Sequence, residues 1–175
     1  MVIVINGLPG TGKTTLAKKL VNEYGYRYIN DWEIFKERNI AISEFEDKKL
    51  ISKNHSKLIA DCIVENQRGK VVFDLEYSIS PEDLVGHKLK DITQVVYLGF
   101  ATLPNEIMFE LFRKSPSNND VNDYELKKKI DFYKDASLEY QNQCKDHNIE
   151  FVDISNDRQI ILNDLLQKLH KRANL

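Results

Sequence analysis

Val2-Ile3-Val4-Ile5-Asn6-Gly7-Leu8-Pro9-Gly10-Thr11-Gly12-Lys13-Thr14-Thr15 opens the chain with an apolar β-branched run, a glycine-rich loop and a lysine followed by two threonines. Gly7 to Thr14 satisfy the phosphate-loop pattern G-x-x-x-x-G-K-[ST]. The context fits the pattern too: a short strand precedes it, and Leu16, Ala17, Leu20 and Val21 follow at helical spacing. The loop glycines let the backbone turn where a Cβ would clash, so that successive N–H groups form a concave cradle for phosphate oxygens. A helix beginning at about Lys13 adds free N-terminal N–H groups and the positive end of its dipole. Lys13 then serves as a mobile charge for β- and γ-phosphates, the Thr14 hydroxyl is placed to ligate Mg²⁺, and Thr15 to reach the α-phosphate. Gly7, Leu8, Pro9, Gly10, Thr11, Gly12, Lys13, Thr14 and Thr15 are therefore the expected site for a nucleoside triphosphate.

Outward from this loop, composition sets broad limits. The 175 residues are enough for one domain with a full core and no metal or disulfide staples. Hydrophobic content of 42% and charged content of 30% are ordinary for a globular protein, and a net charge of -2 gives no basic field for nucleic acid. Cys62 and Cys144 share no CxxC or CxxH pattern and read as reduced thiols of a cytoplasmic protein. No stretch approaches the length of a membrane span, and the N-terminal apolar run is too short for a signal peptide.

Along the chain, strands alternate with helices. Lys13 to Tyr24 reads as a helix stopped at Gly25, and Tyr26 to Asn30 as a second strand with Asp31 at its end. Asp31 to Asn39 has helical character, Ile40 to Phe45 is ambiguous, and Asp47 to Arg68 reads as a long helix closed by Gly69. The apolar stripe of that helix includes Ile51, His55, Leu58, Ile59, Cys62 and Ile63. Lys70 to Asp74 is a short apolar run ending in an acid, the form of a buried parallel strand. Ser80-Pro81-Glu82-Asp83 starts a short helix, Thr93 to Leu98 makes a fourth strand, and a helix runs from about Pro104 to Lys114. Ser115 to Asn122 is the most loop-like segment. Helices over Asp123 to His147 and Asp157 to Arg172 flank a fifth strand, Ile149 to Asp153. This alternation predicts an α/β protein whose parallel sheet lies between helical layers.

A phosphate loop alone does not name a reaction. GTPases carry an N-K-x-D guanine motif that is absent here, and AAA-type ATPases need a longer chain with an added helical domain. The loop, the order of elements and the length instead resemble the small phosphate-loop kinases: adenylate and cytidylate kinases, shikimate kinase and related nucleoside or metabolite kinases. That resemblance implies a three-layer fold with a five-stranded parallel sheet of order 2-3-1-4-5 and helices on both faces. It also implies one domain over 1–175, an acceptor-binding region at about 31–68 and a lid at about 114–123.

Residue by residue, the resemblance makes Asp31 the acid after strand 2 that meets the acceptor. Asp74 becomes the strand-3 acid that holds Mg²⁺ or takes the proton of an attacking hydroxyl. Arg113 becomes the lid arginine that offsets charge on the transferring group, and Asn156 and Asp157 lie where the adenine rests. Glu76 is a second acid for the work of Asp74, and His55 is a candidate for the acceptor pocket or a core histidine. Each has a plainer alternative: helix capping for Asp31, a solvated strand end for Asp74, and pairing with Glu110 for Arg113. Lys127-Lys128-Lys129 read as a solvated face, with one of the three able to approach phosphate when the lid closes. The family's several lid arginines are reduced here to Arg113 between Pro104 and His147. The strand-3 end, Asp74-Leu75-Glu76-Tyr77-Ser78, matches neither the adenylate kinase nor the shikimate kinase motif. The implied function is transfer of the γ-phosphoryl of Mg·ATP to a small acceptor, with a nucleotide or nucleoside first and a hydroxylated metabolite second. A nucleotide-dependent regulatory module is the alternative from another class.

Overall fold

Val2–Gly7 form β1, every residue of which is buried, and the alternation of its side chains organises both sides of the sheet. Ile3 and Ile5 enter one apolar cluster and Val2 and Val4 enter another, as the two-residue strand period requires. The computed structural model describes residues 1–38, 51–76, 78–115 and 118–172, and of 51–54 the backbone only. The ambiguous stretch Ile40 to Phe45 and the expected helix start at Asp47 lie outside the described residues.

The elements in order are α1 (Lys13–Tyr24), β2 (Arg27–Asn30), α2 (Asp31–Glu37), α3 (Ile51–Glu65), β3 (Val71–Leu75), α4 (Pro81–Gly86) and a 3-10 turn (Leu89–Asp91). There follow β4 (Thr93–Gly99), α5 (Asn105–Arg113), α6 (Asp123–Asp146), β5 (Glu150–Asp153) and α7 (Arg158–Arg172). The sheet is parallel throughout, in the order β2-β3-β1-β4-β5. Several bounds differ by a few residues from the expectation. The helix expected to run to Arg68 ends at Glu65, where the Asn66 side chain donates to Cys62 O at 2.8 Å and the backbone leaves the helix. β3 runs one residue past Asp74, so the acid stands within the strand and Leu75 ends it.

The cluster around Ile3 and Ile5 joins Leu16 and Leu20 of α1, Phe112 of α5, Leu126 and Ile130 of α6 and Leu162, Leu165 and Leu169 of α7. The cluster around Val2 and Val4 joins Ile34 and Phe35 of α2, Ile59 and Ile63 of α3, Leu84 of α4 and Cys144 of α6. Two helical layers thus cover the sheet. Cys62 and Cys144 are free and buried, and burial pushes both thiols up, Cys144 to about 12, so neither is a ready thiolate. No helix among the described residues is long and apolar enough to cross a membrane.

Candidate active site

The loop after β1 is built around one carbonyl. Leu8 O accepts from Thr11 N at 3.4 Å, from Thr11 Oγ1 at 2.8 Å and from the Lys13 ammonium at 2.9 Å. Below it, the fully buried Asn6 side chain accepts from Gly7 N at 2.8 Å and donates to Ile79 O. Leu8 N donates to Leu98 O at 3.2 Å, which fixes the loop's entry to β4. With the loop held from beneath, the backbone N–H groups of Gly10, Gly12, Lys13 and Thr14 take no protein acceptor among the described residues. An array of unpaired amides at a helix start is an anion site, and the residues present fit a polyphosphate.

Lys13 is 6% exposed, and burial lowers its pKa against the pull of Glu76, Asp74 and Asp31. Its ammonium is therefore held in a dry setting where an arriving phosphate gains more from it than it would in water. Gly7 is the tightest point of the loop. At φ 143, a Cβ there would lie 2.1 Å from the backbone oxygen of Leu98.

Asp74 reaches this cradle through strand parity. Val72 and Asp74 project to one face, the face that α1 covers, and Asp74 is 6% exposed. Its Oδ2 accepts from Thr14 Oγ1 at 2.6 Å and from the Tyr28 hydroxyl at 2.8 Å. A hydroxyl and a carboxylate in contact at the mouth of a phosphate cradle are hard oxygen donors of the kind that hold Mg²⁺ together with phosphate and water. Burial, and then the hydrogen bond to Asp74, pushes the Tyr28 phenol up to about 12, so it remains a donor.

On the acceptor side, the N-cap of α2 is Asn30, in a capping box with Glu33, which leaves Asp31 free of the capping role. The Asp31 carboxylate instead accepts from Glu76 N at 2.7 Å, from Ser78 Oγ at 2.5 Å and from Trp32 N at 3.0 Å, tying the end of β2 to the loop after β3. Glu76 is exposed as a whole residue, yet desolvation within the cleft pushes its carboxyl up, with Lys13 opposing. His55 is buried, its ring 5.0 Å from that of Phe35, between α3 and α2.

Around the lid, Arg113 pairs with Asp123 rather than with Glu110, and its Nη1 donates to Val121 O at 2.6 Å. The segment that looked most loop-like contains the buried Asn118, whose Nδ2 donates to Phe112 O at 2.8 Å. Lys129 is half-buried and donates to Asn118 Oδ1 at 2.9 Å, whereas Lys127 and Lys128 are exposed. Asn156 and Asp157 are exposed after β5. Beside them Arg158 lies across the loop: a Cβ on Gly12 would meet its Nε at 3.2 Å.

Two site-lining groups escaped the sequence reading, and a third, Lys129, entered it only as one of three lysines of which one could approach phosphate. Tyr28 stands in an aromatic group with Tyr24, Tyr26 and Trp32 that packing between helix and sheet explains as well as stacking on a base does, and its reach to Asp74 is visible only once β2 is paired with β3. Arg158 follows Asn156-Asp157 directly, so position alone could have suggested it. Lys129 differs from its two neighbours only by helical phase.

With this geometry in view, likeness to known proteins is informative. The family described as an AAA domain matches residues 3–115, from β1 to just beyond α5. The segment it covers is the nucleotide-loop part of the sheet, and it carries no added helical domain among its described residues. A cytidylate kinase of Methanosarcina barkeri (strain Fusaro / DSM 804) is 29% identical over 160 residues, covering 89% of this chain and 83% of that protein. A cytidylate kinase of Saccharolobus islandicus (strain L.S.2.15 / Lassen #1) is 35% identical over 65 residues, 30% of this chain and 34% of that one. Among solved structures, a shikimate kinase from Bacteroides thetaiotaomicron superposes with a TM-score of 0.65 at 17% identity, covering 100% and 99% of the two chains. A gluconokinase from Sinorhizobium meliloti 1021 does so with 0.62 at 13% identity, covering 99% and 93%. Those two structures share the fold. The strand order, the loop and these relatives agree, and the chain belongs to the AAA domain family, within the superfamily of small phosphate-loop kinases.

Proposed function

We propose that this chain is an ATP-dependent phosphotransferase that moves the γ-phosphoryl group of Mg·ATP to a small acceptor, a nucleotide or nucleoside in the first instance. The observation that carries the reading is the 2.6 Å contact between Thr14 Oγ1 and Asp74 Oδ2 beside the free amides of the loop. Thr14 and Asp74 would hold Mg²⁺, which supplies charge neutralisation across the β- and γ-phosphates when bound. Lys13 leaves Leu8 O for the phosphate oxygens, and Asn156 and Asp157 border the base. Asp31 lines the acceptor side within the region of about 31–68, Glu76 lines it from the loop after β3, and about 114–123 forms the lid of a single cytoplasmic domain.

The cytidylate kinase relatives support a nucleotide acceptor. A hydroxylated metabolite is the second reading. It is favoured by the three carboxylates Asp31, Asp74 and Glu76, all of which act on Lys13: they suit hydroxyl groups better than a second phosphate.

The test is ADP formation from Mg·ATP with a panel of nucleoside monophosphates, nucleosides and hydroxylated acids, repeated with Lys13→Ala and Asp74→Asn. Acceptor-dependent turnover that both substitutions lower by at least a hundredfold is expected. Turnover equal with and without every acceptor would assign the chain to the regulatory class instead.

A further inference from the structure

The basic groups of the lid do different work. Arg113 has its guanidinium fork committed to Val121 O and the Asp123 carboxylate, and its flat face lies 5.4 Å from the Phe109 ring. The contacts to Val121 and Asp123 join the end of α5 to the approach and start of α6, and the one to Phe109 lies within α5. Lys129, in the second turn of α6, has a different setting. Among the described residues its ammonium makes one hydrogen bond, to Asn118 Oδ1, and it stands 5.9 Å from the centre of the Tyr133 ring. Asn118 is 1% exposed and fixed at its other end by Phe112 O, so the seat of the ammonium does not swing.

That seat adjoins the phosphate loop. The Phe112 ring packs 5.4 Å from the Tyr133 ring, and it would meet a Cβ on Gly10 at 3.7 Å. Asn118, Phe112 and Tyr133 thus link the seat of Lys129 to the loop at Gly10. The charge of Lys129 also acts on the Glu76 carboxyl across the cleft, as does that of Lys13.

We propose that Lys129, seated on Asn118 and Tyr133, is the lid cation that meets the transferring phosphoryl group, while Arg113 is a clasp that shapes the lid. This assignment rests on the phosphotransferase reading above. In the transfer, an acceptor oxygen bonds to the γ-phosphorus as the bridging P–O bond breaks to release ADP. The proton of a hydroxyl acceptor goes to Asp74. Of the three N–H donors on the Lys129 nitrogen, one stays on Asn118 and two are offered to phosphate oxygens.

The test compares calorimetric affinities for Mg·ADP and Mg·ATP, together with kcat, in the wild type, Lys129→Met, Lys129→Arg, Arg113→Met and Lys128→Met. Lys129→Met is expected to shrink the preference for ATP over ADP about tenfold, the equivalent of one charge-assisted contact. It should also lower kcat by a larger factor, with Lys129→Arg recovering part of both and Lys128→Met matching the wild type. Arg113→Met is expected to lower the melting temperature while keeping the ATP preference. Unchanged preference and kcat in Lys129→Met overturn the assignment, as does an Arg113→Met variant that melts normally but loses the preference. A wild type that binds neither nucleotide brings down the phosphotransferase reading and this assignment together, a result distinct from a loss confined to Lys129→Met.

Discussion

Replacing Tyr28 with phenylalanine deletes one hydroxyl and keeps the ring. That hydroxyl donates at 2.8 Å to Asp74 Oδ2, the oxygen that also receives Thr14 at 2.6 Å. A hydrogen bond to a charged group contributes about 1.5–3 kcal/mol. Tyr28 is half-buried, so the lower part of that range applies, about 1.5–2 kcal/mol. For a chain of this length the loss lowers the melting temperature by about 3–8 °C.

Magnesium changes the outcome. A cation on Asp74 becomes its main partner, so the deficit narrows once Mg·ADP is bound, and the nucleotide-induced rise in melting temperature is larger in Tyr28→Phe than in the wild type. The phenol also sets a pH signature. Its folded pKa lies above the ordinary value of 10.0, at about 12, so its contribution is complete below pH 10.0 and is lost as pH rises toward about 12. The wild type therefore loses its advantage over the variant in that alkaline window. Scanning calorimetry on both proteins, with EDTA, with ADP and EDTA, and with saturating Mg·ADP, measures all three effects. A fall of less than about 1 °C in the nucleotide-free protein refutes the idea that Tyr28 holds Asp74 in place. So does an equal fall with and without Mg·ADP.

Two further perturbations address the loop. Burial lowers the pKa of Lys13, and an arriving polyphosphate raises it again, so ATP binding takes up protons at alkaline pH, by at most about one per site. Calorimetry in buffers of different ionisation enthalpy measures this uptake, which should vanish in Lys13→Met. Gly7→Ala places a Cβ 2.1 Å from Leu98 O, backbone that cannot rotate aside, and should cost at least about 2 kcal/mol along with nucleotide binding. Gly25→Ala has nothing within 4 Å and should cost only about 1–2 kcal/mol of backbone strain with binding intact, as melting curves and titrations of the two variants would show.

What the sequence disclosed and what it hid divide along the range of the interactions. β1 declared itself because Val2, Val4, Ile3 and Ile5 are apolar on both faces, and the cradle declared itself because its spacing is local. Asp74 was readable for the same reason, since a strand of this kind ends its apolar run at the sheet edge where the loop stands. The strand order came from resemblance, because no single strand names its neighbours.

Tyr28 was hidden by that same limit: its diagonal reach to Asp74 exists only because Tyr28 pairs with Val72 in the parallel register of β2 and β3. Arg113 misled in the opposite way. Its sequence neighbour Glu110 offered a helical pair, but a guanidinium at a helix end can also reach the next helix across a turn, and Asp123 lies beyond a loop that folds back on itself. The loop folds back because Asn118 is buried and hydrogen-bonded to Phe112 O and to Lys129. A polar residue in a polar stretch gives no sign of burial, since its desolvation is offset only by partners that the fold brings together. Helical phase separates Lys129 from Lys127 and Lys128, but that its ammonium is received by a buried amide, that of Asn118, shows only once the fold brings the two together.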